Sequence, residues 1–106
     1  MPTDHPVFSL SLSGDLTLRG CAEVRDSLLG ALDQSPDLAL DIDPDAAVDL
    51  TLVQLIEAAR RAAAEAGGDI VLQQPAGGGL LETLTRGGFL EGTPQRQFWL
   101  KTSETC

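Results

Sequence analysis

Between two stretches of helical period lies a short apolar run, Leu38-Ala39-Leu40-Asp41-Ile42, introduced by the turn residues Ser35-Pro36-Asp37. Five residues are too few for a helix, and Leu38, Leu40 and Ile42 share one face of an extended chain, so the run reads as a central strand. Before it, over 21–34, Val24, Leu28, Leu29 and Leu32 recur at helical spacing, with Glu23, Arg25, Asp26 and Asp33 largely on other faces. After it, a helix is expected from about residue 52 to 66, its apolar stripe made by Leu52, Ile56, Ala59, Ala63 and Ala66 and its end marked by Gly67-Gly68. A strand with a helix on each side meets its neighbours through crossovers, which make the pairing parallel and right-handed. The chain is thereby held to an α/β arrangement.

The remaining segments extend that plan. Asp69-Ile70-Val71-Leu72-Gln73 is β-branched and bounded by Gly68 and Pro75, and reads as the next strand. A short helix over 77–86 points Leu80, Leu81 and Leu84 inward and stops at Gly87-Gly88. At the other end, Phe8, Leu10 and Leu12 alternate with Val7, Ser9 and Ser11. Ser13-Gly14-Asp15 then signals a turn and Leu16-Thr17-Leu18 alternates again, the pattern of an antiparallel hairpin. Gln97-Phe98-Trp99-Leu100-Lys101 is expected as an edge strand. The order β-β-α-β-α-β-α predicts a small mixed, mostly parallel sheet with helices packed against it. The 106 residues make one domain, with 1–6 and 102–106 expected as flexible tails.

Phe8, Phe89, Phe98 and Trp99 are the whole aromatic complement, so the core must be aliphatic. Sixteen acidic against seven basic residues leave a net charge of −9. Such a surface repels phosphate backbones and anionic headgroups, which argues against nucleic acid or a membrane surface as partner and favours a protein with a basic patch. Cys21 and Cys106 form no metal-ligand or redox spacing, and two unpaired thiols fit a reducing compartment. The first residues lack the basic and apolar regions of a signal peptide, and no apolar run approaches the roughly 20 residues that span a bilayer. A cytoplasmic location is expected.

The segment Val48-Asp49-Leu50-Thr51-Leu52-Val53 carries the most information. Its place after the central strand, with the order of elements around it, resembles the STAS domain of bacterial anti-sigma factor antagonists. In that family the second helix opens on Asp-Ser-Ser-Gly-Leu. Here Asp49 matches the Asp, Thr51 falls at the phosphorylatable Ser or Thr, and Val53 replaces the Leu, while Leu50 stands for a small hydroxyl residue and Leu52 for the glycine. Leu12-Ser13-Gly14-Asp15-Leu16 is similar to the family's first hairpin. Gln74-Pro75-Ala76 with the helix after it, and Gly88-Phe89-Leu90, are similar to its third helix and following turn. The resemblance covers roughly residues 8 to 100. It implies a module docking a kinase-like anti-sigma factor or other signalling protein through Asp45, Asp49, Leu50, Thr51 and Leu52, switched by phosphorylation of Thr51. A second implied role is a constitutive cytoplasmic subunit of a phospholipid-transporting ABC complex, which some STAS proteins of this size resemble.

Local chemistry offers a plainer account of the same residues. Thr51 with Gln54 reads as a capping box, and Leu50 with Leu55 as a hydrophobic staple, so Thr51 is expected at the helix cap. Asp41, Asp43, Asp45 and Asp49 imitate the first half of a calcium loop. The pattern then fails at Ala46, where a tight-turn Gly belongs, and at Leu52, where a bidentate Glu belongs, leaving a solvated acidic rim and no metal. Gly77-Gly78-Gly79 lacks the spacing and Lys of a phosphate loop and reads as a connector. His5, the only histidine, lies in the terminal segment, which removes any histidine-based triad. Trp99 reads as packing. No enzymatic activity and no cofactor are expected.

Overall fold

The structure is a computed structural model that describes residues 7–100. Three strands, β1 (Phe8–Leu12), β3 (Leu38–Ile42) and β5 (Ile70–Leu72), form a sheet in the order β1-β3-β5, and both pairings are parallel. Phe8, Leu38 and Ile70 stand in register, as do Leu10, Leu40 and Leu72. Helix α1 (Cys21–Gln34) makes the first crossover and α2 (Leu50–Glu65) the second. α1 packs on β1 and α2, while α2 packs on β5 and on α3 (Gly78–Arg86). Leu12, Leu28, Leu40, Val53, Ile56, Ile70 and Leu84 are all buried between sheet and helices.

The opening strands correct the expected hairpin. β1 runs parallel to β3, and the two-residue β2 (Asp15–Leu16) runs parallel to β4 (Ala47–Val48), a strand placed where a loop was expected. Gly14, at φ 84°, bends the chain without reversing it. The ladder continues across the bend, with the Asp43 N–H donating to the Leu12 carbonyl at 2.9 Å and the Ala47 N–H to the Gly14 carbonyl at 3.0 Å. Among the described residues every strand pairing is parallel.

The C-terminal edge strand is a helix, α4 (Thr93–Leu100). Pro94 sits in its first turn, where its missing N–H costs nothing. Phe98 and Trp99 are buried, their rings edge to face at 4.7 Å between centroids, and the Arg60 guanidinium lies 4.0 Å from the Phe98 ring centre. The Trp99 carbonyl accepts the Ala76 N–H at 2.7 Å, so α4 lies beside the end of β5 in place of a further strand. The expected tails, with His5 and Cys106, lie outside the described residues.

Other expectations shift by a face or a turn. Leu29, read as inward, is 50% exposed, and Leu81 and Ala66 are exposed as well, whereas Ala31 and Val53 are in the core. Glu57 pairs with Arg60, three residues on along α2, at 3.5 Å. Gly78 has a packing role: at φ 57°, a Cβ there would lie 2.1 Å from the Pro44 carbonyl oxygen, so glycine lets α3 close against the loop after β3.

Candidate functional site

The second helix begins two residues earlier than its apolar stripe indicated, and Asp49 is its cap, not Thr51. Asp49 is extended (φ −140°, ψ −172°), and its Oδ1 accepts the Thr51 N–H at 2.9 Å. Its carbonyl accepts the Leu52 N–H at 3.1 Å. Its second oxygen, Oδ2, accepts the Leu18 N–H at 3.0 Å. Aspartate is well suited to this position because a carboxylate answers both the orphan N–H groups and the positive end of the helix dipole. One side chain thus ties the start of α2 to the 3-10 turn at Leu18–Gly20.

That turn is built around Asp15. Its Oδ1 accepts the Thr17 hydroxyl and the Thr17 N–H (3.0 Å), and Arg19 approaches its other oxygen at 3.4 Å. The Thr17 hydroxyl, the Thr17 N–H and then the Arg19 charge hold the Asp15 carboxyl below its ordinary range, against an opposing effect of desolvation. Gly20 is required at the end of the turn, where a Cβ would lie 2.0 Å from the Asp15 carbonyl oxygen.

With Asp49 in the cap, Thr51 occupies the second helical position, half-buried, and its hydroxyl has no hydrogen-bond partner among the described residues. The expected capping box is therefore absent, and the staple positions belong to Val48 and Val53 instead of Leu50 and Leu55. Leu50 is 46% exposed, but Leu52 is fully buried in the core, which removes it from any contact face. Leu18, which the strand alternation placed with Leu16, is 66% exposed and stands on the other side of Asp49. The strand alternation misplaced it, because the chain leaves the extended conformation here for the 3-10 turn Leu18–Gly20, whose first N–H is bound by Asp49, 31 residues away. Asp45 is exposed and donates its N–H to Asp43 Oδ1 at 2.9 Å. The acidic loop is so organised around its own backbone, and among the described residues no group of acidic, Cys or His side chains is placed to hold a metal ion.

The site is thus a surface: two exposed leucines on either side of a double-acceptor aspartate, a hydroxyl beside them, and carboxylates at the margin. A helix-crossed parallel sheet whose second helix opens on such a segment defines a STAS-type domain. The family described as "Mlab, STAS domain" matches residues 4–91, and the chain belongs to it. No curated protein and no solved structure matches the chain. Domains of this family generally mediate contacts between proteins. Among the described residues no helix is long and apolar enough to cross a membrane.

Proposed function

We propose that this chain is a non-enzymatic protein-binding module of the anti-sigma factor antagonist type, docking a kinase-like or other signalling partner through the start of α2. The single observation carrying this reading is the exposed pair Leu18 and Leu50, held in place from both sides by Asp49. Exposed leucines fixed on a rigid backbone are the kind of surface that a partner covers. Asp45 and Asp15 at the margin suit a basic counterpart. The absence of catalysis is supported by what the carboxylates do: Asp15, Asp43 and Asp49 each accept backbone N–H groups that shape the surface.

Thr51 is the switch residue in this reading. A phosphate on its unpartnered hydroxyl would bring nearly two negative charges to Asp49 and into the apolar contact made by Leu50, and desolvating them opposes docking. A second reading is the constitutive accessory subunit of a phospholipid-transporting ABC complex. Leu50 favours it, since a large apolar side chain replaces the family's small hydroxyl residue and makes the surface stickier and less charge-responsive. Affinity capture from the native host with wild type, Leu50→Lys, Thr51→Glu and Thr51→Ser tests both. Loss of the partner with Leu50→Lys supports docking at this face, and undiminished capture refutes it. Loss with Thr51→Glu but not Thr51→Ser selects the switched module, while capture by both selects the constitutive subunit.

A further inference from the structure

The two edges of the three-stranded sheet differ. At one of them α4 lies beside the three-residue β5, and Gln97 and Phe98 line a cleft with Ile70 and Val71. The other edge is the five-residue β1, and no described element lies beyond it. The ladder to β3 shows which of its backbone groups are used. The Phe8 N–H donates to the Asp37 carbonyl and the Asp43 N–H to the Leu12 carbonyl, both at 2.9 Å. Backbone groups alternate sides along a strand, so those of Phe8, Leu10 and Leu12 face β3 and those of Ser9 and Ser11 face outward. Among the described residues the outward groups have no hydrogen-bond partner. Nothing in Phe8-Ser9-Leu10-Ser11-Leu12 blunts the edge: it has no Lys, no Pro and no charge, and its pairing with β3 runs without a bulge.

The space beside this edge is open too. Leu12 is buried toward the helices, which puts Ser11 on the opposite face of the strand. A cavity of about 590 Å³ borders Ser11 and Leu12 together with Ala22, Val24 and Ser27 of α1. Since β3 fills the other side of β1, a cavity that touches both faces of the strand opens at its free edge. The small side chains of Ala22 and Ser27 leave room there for a further strand, about 4.8 Å from β1. Charge selects that strand. Residues 7–14 carry none, Asp15 and Arg19 on the cavity wall pair with each other at 3.4 Å, and Glu23 is the remaining charge. A neutral strip is matched by a neutral strand, and β1 is itself one. Antiparallel pairing of two β1 strands about a two-fold axis at Leu10 sets Ser9 of one copy opposite Ser11 of the other. The outward groups of each such pair then exchange both hydrogen bonds. A shift of one residue would set outward groups against inward ones. The same register places Leu10 opposite Leu10, and Phe8, 38% exposed, opposite Leu12, on the face where the helices pack. The net charge of −9 acts against association as a diffuse repulsion, which salt screens, whereas strand pairing is local. We propose that β1 is the contact through which two copies of this chain associate, edge to edge, into one continuous sheet. The contact is separate from the surface formed by Leu18 and Leu50 and does not rest on its docking role.

The test is sedimentation of the whole chain over a concentration series from about 10 μM to about 1 mM, where a small interface dissociates. A monomer–dimer equilibrium is expected, tightened by added salt as the repulsion is screened. Ser11→Pro removes an outward N–H, a change that an edge strand tolerates, and is expected to weaken the dimer by about tenfold or more. Two double variants read the register. Ser9→Glu with Ser11→Lys brings opposite charges together across the two-fold axis and should dimerise at least as tightly as wild type. Ser9→Lys with Ser11→Lys brings like charges together and should weaken the dimer by about tenfold or more, although its smaller net negative charge would by itself favour association. Both lose the hydrogen bond that the Gln73 side chain donates to the Ser9 hydroxyl, so they are compared on equal terms, and melting curves establish that they fold. Leu50→Lys should leave the dimer unchanged. A chain that stays monomeric throughout, a dimer indifferent to Ser11→Pro, or equal dimerisation of the two charged variants overturns the proposal. So does a dimer that Leu50→Lys abolishes, since the contact then lies at the start of α2. Capture of a different protein, lost on Ser11→Pro from a chain that does not self-associate, also overturns it, because a partner's strand is then the occupant.

Discussion

Asp49 Oδ2 accepts the Leu18 N–H at 3.0 Å, across 31 residues of sequence, while Asp49 Oδ1 accepts the Thr51 N–H at 2.9 Å. One carboxylate therefore sets the position of two segments relative to each other. Removing it affects both the helix start and the turn. Asp49→Ala should destabilise the domain by about 1–2 kcal/mol, from the lost cap together with the stranded Leu18 N–H. Asp49→Asn, which keeps an acceptor oxygen, should recover part of that. Urea unfolding of the three proteins measures it, and an alanine variant as stable as wild type would show that the carboxylate is not holding the turn.

Thr51 separates stability from binding because it is not the cap. Thr51→Ala should change stability by no more than about 0.5 kcal/mol, the range of surface substitutions away from special features. A cap threonine would instead cost about 1 kcal/mol or more. Denaturant midpoints at unchanged slope distinguish the two.

Leu50 and Leu52 are two residues apart and differ in burial. Leu52→Ala empties a fully buried site and should cost about 2–5 kcal/mol, whereas Leu50→Ala should stay within about 0.5 kcal/mol. Similar losses for the two variants would mean that the helix start is packed differently.

Two glycines make an opposed pair. Gly30 lies within α1, and a Cβ added there would meet nothing within 4 Å, so Gly30→Ala should stabilise by roughly 0.5–1 kcal/mol through helix propensity. Gly78→Ala must displace the Pro44 carbonyl and adopt a φ of 57°, and should destabilise by more than about 1 kcal/mol. Thermal melts of both variants should therefore move in opposite directions.

Asp15 has a depressed carboxyl pKa in the folded state, held by the Thr17 hydroxyl, the Thr17 N–H and Arg19. A depressed pKa contributes stability above the unfolded-state value near 3.9 and loses it as pH falls through the lower, folded value. Wild type should therefore lose stability relative to Asp15→Asn as pH is lowered below about 4, with the difference between them constant at neutral pH. Parallel acid titrations of the two proteins by circular dichroism check the sign.

Sequence alone determined the elements whose period is local and strong. α1, β3, α2, β5 and α3 are legible from the spacing of their own apolar residues and from the glycines and prolines that end them. The segment Asp49–Thr51 was likewise marked by its position after β3 and its resemblance to the family's helix start, but the cap read on Thr51 belongs to Asp49. Tertiary structure decided the rest, each time because the deciding contact is distant in sequence. Ser13-Gly14-Asp15 permits a reversal or a bend, and the bend is selected by the ladder that Leu12 and Gly14 make with Asp43 and Ala47. The Gln97–Leu100 segment reads as an edge strand from its own residues, but it is helical where Phe98 and Trp99 meet the packing around β5 and Arg60. Helical period places Leu29 and Leu52 each on an apolar face but does not say how far a neighbouring element covers that face. α2 leaves Leu29 half in solvent, and the core closes over Leu52. Leu18 lies in a 3-10 turn and not in a strand, its side chain exposed and its N–H bound by a carboxylate 31 positions later.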